Sequence, residues 1–143
     1  MTVLHTSDLH GHVDPRDNPQ LHDFGEGLAR VATAVRAVRA EAEANLLLDS
    51  GDTIEGSPVE ALVFSSAIPD RGDPIIRAMN LVGYDAMAIG NHEFNFGRER
   101  LEKSRREARF PFLCANIVGE DGSPPSRPTS SRRSRGCVSA SWG

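Results

Sequence analysis

Two aspartates, two histidines and an asparagine stand just after three apolar runs of this 143-residue chain. Asp8 and His10 lie in Ser7-Asp8-Leu9-His10, Asp52 in Ser50-Gly51-Asp52-Thr53, and Asn91 and His92 in Gly90-Asn91-His92-Glu93. Such a mixture of oxygen and nitrogen donors suits Mn, Zn, Fe or Co better than a thiolate set would. Residues two apart in extended chain point the same way, which puts Asp8 and His10 on one ion. A lone Asp-x-His is an ordinary loop pair; three such stretches in order, each closing an apolar run, point to a metal site.

The elements that must position these residues follow from the pattern around them. Thr2 to Thr6 reads as a strand that delivers Asp8 and His10 into the next loop. Val13 to Gly25, with Pro15, Asn18 and Pro19, reads as an irregular loop. From Glu26 to about Glu43, Leu28, Val31, Ala32, Val35 and Val38 recur at helical spacing. Leu46-Leu47-Leu48 is a strand ended by Gly51-Asp52, and Pro58 opens a short helix running to about Ser65. Asp73-Pro74 starts a further helix that Gly83 ends. Ala86 to Ile89 is a third strand, Arg98 to Arg109 a charged helix, and Phe110 to Ile117 a fourth strand. Strand–helix–strand repeated this way gives a mainly parallel α/β sheet flanked by helices. The loops at the carboxyl ends of such strands share one edge, about 4.8 Å from strand to strand, so Asp8, His10, Asp52 and Asn91 can meet there.

Length and composition bound the remaining possibilities. The chain has room for one domain. Its net charge of −4 argues against a nucleic-acid polymer as partner. Residues 1–119 hold 12 basic against 18 acidic side chains, whereas residues 120–143 hold four Arg against two acids. Two cysteines, Cys114 and Cys137, are too few for a disulfide framework and read as free thiols. No apolar run approaches a membrane span, so no membrane partner is expected. The first strand starts at Thr2, which leaves no leader in the chain as written and a cytoplasmic expectation on its face.

The stretches HTSDLHGH (5–12), LLDSGDTIEGSP (47–58), AIGNHEFNFG (88–97) and FPFLCANI (110–117) resemble the calcineurin-like metallophosphoesterases. The likeness is to the nucleotidase branch, with its 5′-nucleotidases and 2′,3′-cyclic-nucleotide 2′-phosphodiesterase/3′-nucleotidases, and it covers about residues 2–119. It implies a layered metallophosphoesterase sandwich and two divalent metal ions, with Asp8 and His10 on the first, Asn91 on the second and Asp52 bridging. It implies hydrolysis of a nucleotide or cyclic-nucleotide phosphoester by a two-metal-activated water. His92 would stabilise or protonate the leaving oxygen, with Asn95 orienting it. The 5′-nucleotidase branch usually has Asp at the Asn95 position, whereas the cyclic-nucleotide branch often has Asn, which favours the latter. A 5′-nucleotidase or nucleotide-sugar diphosphatase is the alternative, and a catalytically inactive metal-binding fragment a second. Family members are often periplasmic or secreted.

The family's later histidines, including a Gly-x-His-x-His segment, are missing, since His92 is the last histidine here. A half-ligated site would hold ions weakly. The expected division is therefore 1–119, the N-terminal part of the catalytic domain, and 120–143, an irregular Ser-, Arg- and Pro-rich tail. Synonymous codons can be chosen for 128–143 such that the same bases, read from one base earlier, encode a strand–turn–strand pattern, so a frameshifted tail is expected. A parallel sheet lacking half its sandwich should expose apolar surface and be poorly soluble. Among other residues, His5 is expected to be a packed core histidine. His12 reads equally as support for the site or as a plain loop residue, and His22 should face solvent. Glu93 should anchor its loop through backbone hydrogen bonds, Glu55 should be a loop charge, and Cys114 a buried small hydrophobe. Phe94 and Phe96 should pack under the site.

Overall fold

The computed structural model describes residues 1–14, 27–65, 72–114 and 117. Along the chain these form β1 (Thr2–Thr6), α1 (Leu28–Glu41), β2 (Asn45–Asp49), α2 (Pro58–Phe64), α3 (Pro74–Val82), β3 (Ala86–Ala88), a 3-10 turn (His92–Phe94), α4 (Arg98–Glu107) and β4 (Phe112–Leu113). The four strands make one parallel sheet in the order β1-β2-β3-β4. This is the parallel α/β architecture that the alternating pattern implies.

The helix ends are written locally. Ser57 accepts a hydrogen bond from the Glu60 N–H at the start of α2, with Pro58 in its first turn. Asp73 caps α3 in the same way through the Ile76 N–H, Pro74 follows it, and Gly83 closes the helix at φ 82°. Arg39 of α1 then donates to the Val82 and Gly83 carbonyls at 2.5 and 2.7 Å, tying α1 to the end of α3.

Strand register decides which side chains are covered. Leu47, Met87 and Phe112 point to one face and join Leu28, Val35, Ile75, Ile76, Met79 and Leu101 in the core. Val3, Leu46 and Leu113 point to the other face and stay exposed. Each strand connects to its next neighbour in the same direction, and right-handed crossovers then stack every connecting helix on one side. The expectation of exposed apolar sheet surface therefore holds.

Three readings need correction. His5 is exposed rather than packed in the core, because its register puts it beside Val3 on the uncovered face; its Nε2 meets the Ser50 hydroxyl at 2.5 Å. Among the described residues the fourth strand is Phe112–Leu113, shorter than the expected 110–117, of which 115 and 116 lie outside the described residues. Cys114 is half-buried, and its Sγ accepts from the Ile117 N–H at 3.2 Å. The expected loop from Pro15 to Gly25, His22, Cys137 and the 120–143 tail lie outside the described residues. Among the described residues no helix is long and apolar enough to cross a membrane.

Candidate functional site

Because β1, β2 and β3 are parallel, the loops that follow them leave from one edge. The first two continue as hydrogen-bonded neighbours past the sheet. Ser50 N–H donates to Thr6 O, Asp8 N–H to Gly51 O, His10 N–H to Asp52 O and Gly11 N–H to Thr53 O, at 2.7–3.1 Å. Asp8, His10 and Asp52 are thus carried on two ribbons fastened side by side.

The third loop is tied to them by Glu93, which is 2% exposed. Its Oε1 accepts from the Thr53 and Ile54 N–H groups at 2.6 and 3.2 Å, and its Oε2 from Asp52 and Gly90 at 2.9 and 2.6 Å. Four backbone donors on one carboxylate fill its lone pairs, the anchoring role expected for it. Asp52 Oδ1 accepts from the His92 N–H at 3.0 Å, a second tie between the loops. Gly51 and Gly90 make the approach possible, since a Cβ on Gly51 would stand 2.5 Å from the Gly90 nitrogen.

Asp49, the last residue of β2, supports the turn from below. It is buried and accepts from Thr6 Oγ1 at 2.6 Å, Thr53 Oγ1 at 2.8 Å and the Gly51 N–H at 2.9 Å. Burial pushes its carboxyl above the usual range against those hydrogen bonds, and the nearby Glu93 adds to the rise. Tyr84, 3.0 Å from Thr6 Oγ1, is pushed up to about 12 by burial and by the Asp49 charge. Sequence reading missed Asp49, Thr6 and Tyr84; only the polar ending of an apolar strand signals the first of them.

Among the described residues, the non-glycine residues at positive φ are Asp8 (56°), His10 (46°) and Asp52 (55°). Asp8 and Asp52 carry short polar side chains that tolerate this conformation better than most residues do. His10 Nδ1 lies 3.0 Å from the Glu55 backbone carbonyl. A carbonyl only accepts, so Nδ1 carries the hydrogen and Nε2 keeps its lone pair, the usual support for a ligating histidine. That Nε2 is 3.9 Å from Asp8 Oδ1, within the roughly 4.2 Å that two metal–ligand bonds of about 2.1 Å can span. Asp8 also accepts a short hydrogen bond from the Ser7 hydroxyl. The His92 ring stands edge-on to His10, centroids 5.1 Å apart.

The structure thus brings Asp8 and His10 to the same edge as Asp52 and the Asn91–His92 loop, but Asp8 and His10 stand at positive φ and not in the extended chain that their spacing suggested. The carboxylate, imidazole and amide donors fit a borderline divalent cation. Among the described residues no group of three or more His, Cys, Asp or Glu side chains closes a cation shell by itself. Asn95 Nδ2 lies 2.8 Å from His92 Nδ1. Glu55 is not a mere loop charge, because its carboxylate reaches His92 Nδ1 at 3.1 Å and Asn95 Nδ2 at 3.0 Å. Phe96 packs edge-on against Phe64 at 4.7 Å, while Phe94 is 40% exposed and does not pack beneath the site.

Comparison with known proteins bears on this geometry. The sequence model of the calcineurin-like phosphoesterases matches residues 1–129. The chain is 36% identical over 134 residues to a 2′,3′-cyclic-nucleotide 2′-phosphodiesterase/3′-nucleotidase of Yersinia enterocolitica, covering 90% of this chain and 20% of that protein. It is 44% identical over 122 residues to Protein UshA of Escherichia coli and 41% to a snake venom 5′-nucleotidase of Gloydius brevicauda, covering 82% of this chain and 20% of each relative. The chain therefore spans about a fifth of the length of these curated relatives. Among solved structures, the calcineurin-like phosphoesterase YfkN of Bacillus subtilis superposes with a TM-score of 0.75 at 33% identity, over 85% of this chain and 38% of that one. A 5′-nucleotidase precursor of Thermus thermophilus gives 0.61 at 34%, over 80% and 22%.

Proposed function

The chain belongs to the calcineurin-like phosphoesterase family, and on that premise we propose that its strand-end loops hold two divalent cations and hydrolyse nucleotide phosphoesters. The observation that carries this reading is the coincidence of strain with donor chemistry at Asp8, His10 and Asp52. Left-handed backbone at a non-glycine residue costs on the order of 1–3 kcal/mol and survives where its surroundings impose it. Here Glu93 and the ladder between the first two loops impose it, and all three residues carry donors.

Asp8 and His10 would hold one cation and Asn91 the other, with Asp52 serving both. Cations of the Mn, Zn, Fe or Co kind supply, when bound, positive charge for a phosphoryl oxygen and acidify an attacking water. His92 would stabilise the leaving oxygen or, as an imidazolium protonated at both nitrogens, give it the Nε2 proton, and Asn95 lies beside its ring. Neutral Asn95 favours a 2′,3′-cyclic-nucleotide or 3′-nucleotide substrate. Likeness to a 5′-nucleotidase supports a 5′-phosphomonoester as the second reading.

Titrating the full chain with Mn²⁺ or Zn²⁺ while assaying a chromogenic phosphodiester against a phosphomonoester tests both readings. Turnover that falls about 10²–10⁴-fold in His92→Ala, and is lost with cation binding in Asp52→Ala, is expected. A folded chain that neither binds the cations nor turns over either ester would overturn the assignment for this chain.

A further inference from the structure

We propose that Glu55 is the positioning residue of His92, its carboxylate accepting Nδ1–H so that Nε2 is the atom left for the substrate. The functional half of this statement rests on the phosphoesterase reading, while the hydrogen-bond half does not. His92 Nδ1 has two neighbours, Asn95 Nδ2 at 2.8 Å and Glu55 Oε2 at 3.1 Å. They demand opposite things of it. An amide nitrogen donates, so Asn95 calls for a bare Nδ1; an ionised carboxylate accepts, so Glu55 calls for Nδ1–H.

Charge decides between them. A lone pair facing a carboxylate at that distance is repelled, whereas N–H to carboxylate is a charge-assisted bond about twice as strong as a neutral one. The side chains of His92 and Glu55 are 39% and 28% exposed, so water screens the pair only in part. Asn95 meanwhile keeps its own bond by donating to the same Oε2 at 3.0 Å. Both nitrogens then give their hydrogens to one oxygen.

Glu55 also serves the other ring, through a different atom. Its backbone carbonyl takes the Nδ1–H of His10 at 3.0 Å. Gly56, at φ 135°, lets the chain pass this close, since a Cβ there would lie 2.7 Å from His10 Cβ. One residue therefore sets both rings, His10 by main chain and His92 by side chain. Substitution of the side chain separates the two.

Long-range ¹H–¹⁵N spectra of the ¹⁵N-labelled full chain, at alkaline pH where imidazole is neutral and without added cation, read each tautomer directly. His92 and His10 are both expected as Nδ1–H. In Glu55→Ala, His92 should lose that form in favour of Nε2–H, with Asn95 donating into the bare Nδ1, while His10 keeps Nδ1–H and reports an intact loop. Asn95→Ala should leave His92 as Nδ1–H. A His92 that is Nε2–H in the unsubstituted chain, or whose tautomer follows Asn95 rather than Glu55, overturns the proposal. Should Glu55→Ala disturb His10 as well, Asn95→Ala decides alone: Nδ1–H retained upholds the assignment and Nδ1–H lost removes it. Neither cation nor substrate enters the measurement, so its failure is distinct from failure of the phosphoesterase reading.

Discussion

The two faces of the sheet are built from the same strands and are energetically unlike. On one, Leu47 and Met87 are 0% exposed under α1, α3 and α4; on the other, Val3 and Leu113 are 54% and 51% exposed. Composition does not separate them, because Leu46, Leu47 and Leu48 are three identical side chains in a row. Topology does. A parallel sheet whose strands follow one another in a single direction gathers its helices on one side, and parallel sheets ordinarily need cover on both. The covered face thus holds the strands in place, and the site at their ends depends on it although no helix of that layer supplies a proposed ligand.

Adjacent residues of β2 offer the largest test of the contrast. Leu47→Ala should cost about 2–5 kcal/mol, as removal of a buried leucine does when the site collapses only in part. Leu46→Ala, one position along and 37% exposed, should cost about 1 kcal/mol or less. Denaturant unfolding of the two variants side by side measures the difference, and equal losses would mean that the second face is covered too.

The helical layer carries a second asymmetry in Asp73, 2% exposed at the junction of α3 and α4. Burial pushes its carboxyl up to about 6, with Glu107 adding to the rise and hydrogen bonds from Ser104 and Ile76 opposing it. The unfolded chain gives up this proton near 3.8, so between 3.8 and about 6 the folded state holds more of it. Stability from this group is therefore full below 3.8, falls as pH rises through the window and is flat above it. The change is on the order of 3 kcal/mol at about 1.4 kcal/mol per pH unit. Asn at position 73 can still accept from the Ile76 N–H but cannot ionise. The stability of the natural chain relative to Asp73→Asn should accordingly fall between pH 3.8 and about 6, and unfolding midpoints at several pH values follow it. A constant difference would show that Asp73 does not titrate in that window.

What the sequence made readable, and what it hid, divides along similar lines. Strand β1, the Asp73-Pro74 start and Gly83 end of α3 and the three donor-bearing loops depend on neighbours close in sequence or on a motif whose parts come in order, and Glu93 is legible as part of such a motif although its partner Thr53 is 40 residues away. The roles of Glu55 and Tyr84 depend on partners 37 and 78 residues away, for which no local pattern exists. His5 is misplaced by sequence for a subtler reason. Period-two alternation says that His5 and Val3 share a face, but only strand order says which face lies open. The Asp49 carboxylate escapes notice because a polar residue ending an apolar strand reads as a boundary before it reads as a support.

The smallest effects belong to the open face, and they are informative because they should be small. Val3 and Leu113 are the exposed apolar side chains of the two outer strands, β1 and β4. An exposed apolar surface of this kind favours self-association rather than folding. Val3→Lys and Leu113→Lys should therefore change unfolding stability by no more than about 0.5 kcal/mol, while reducing concentration-dependent association measured by light scattering. Lysine also blunts the exposed strand edges, where unpaired backbone groups invite another chain. The same substitution at Leu47 would bury an unpaired charge at a position with no accessible surface, so identical chemistry should be tolerated on one face and should unfold the chain from the other. If Val3→Lys or Leu113→Lys unfolds the chain, that face is already in use, and the contrast between the two sides disappears.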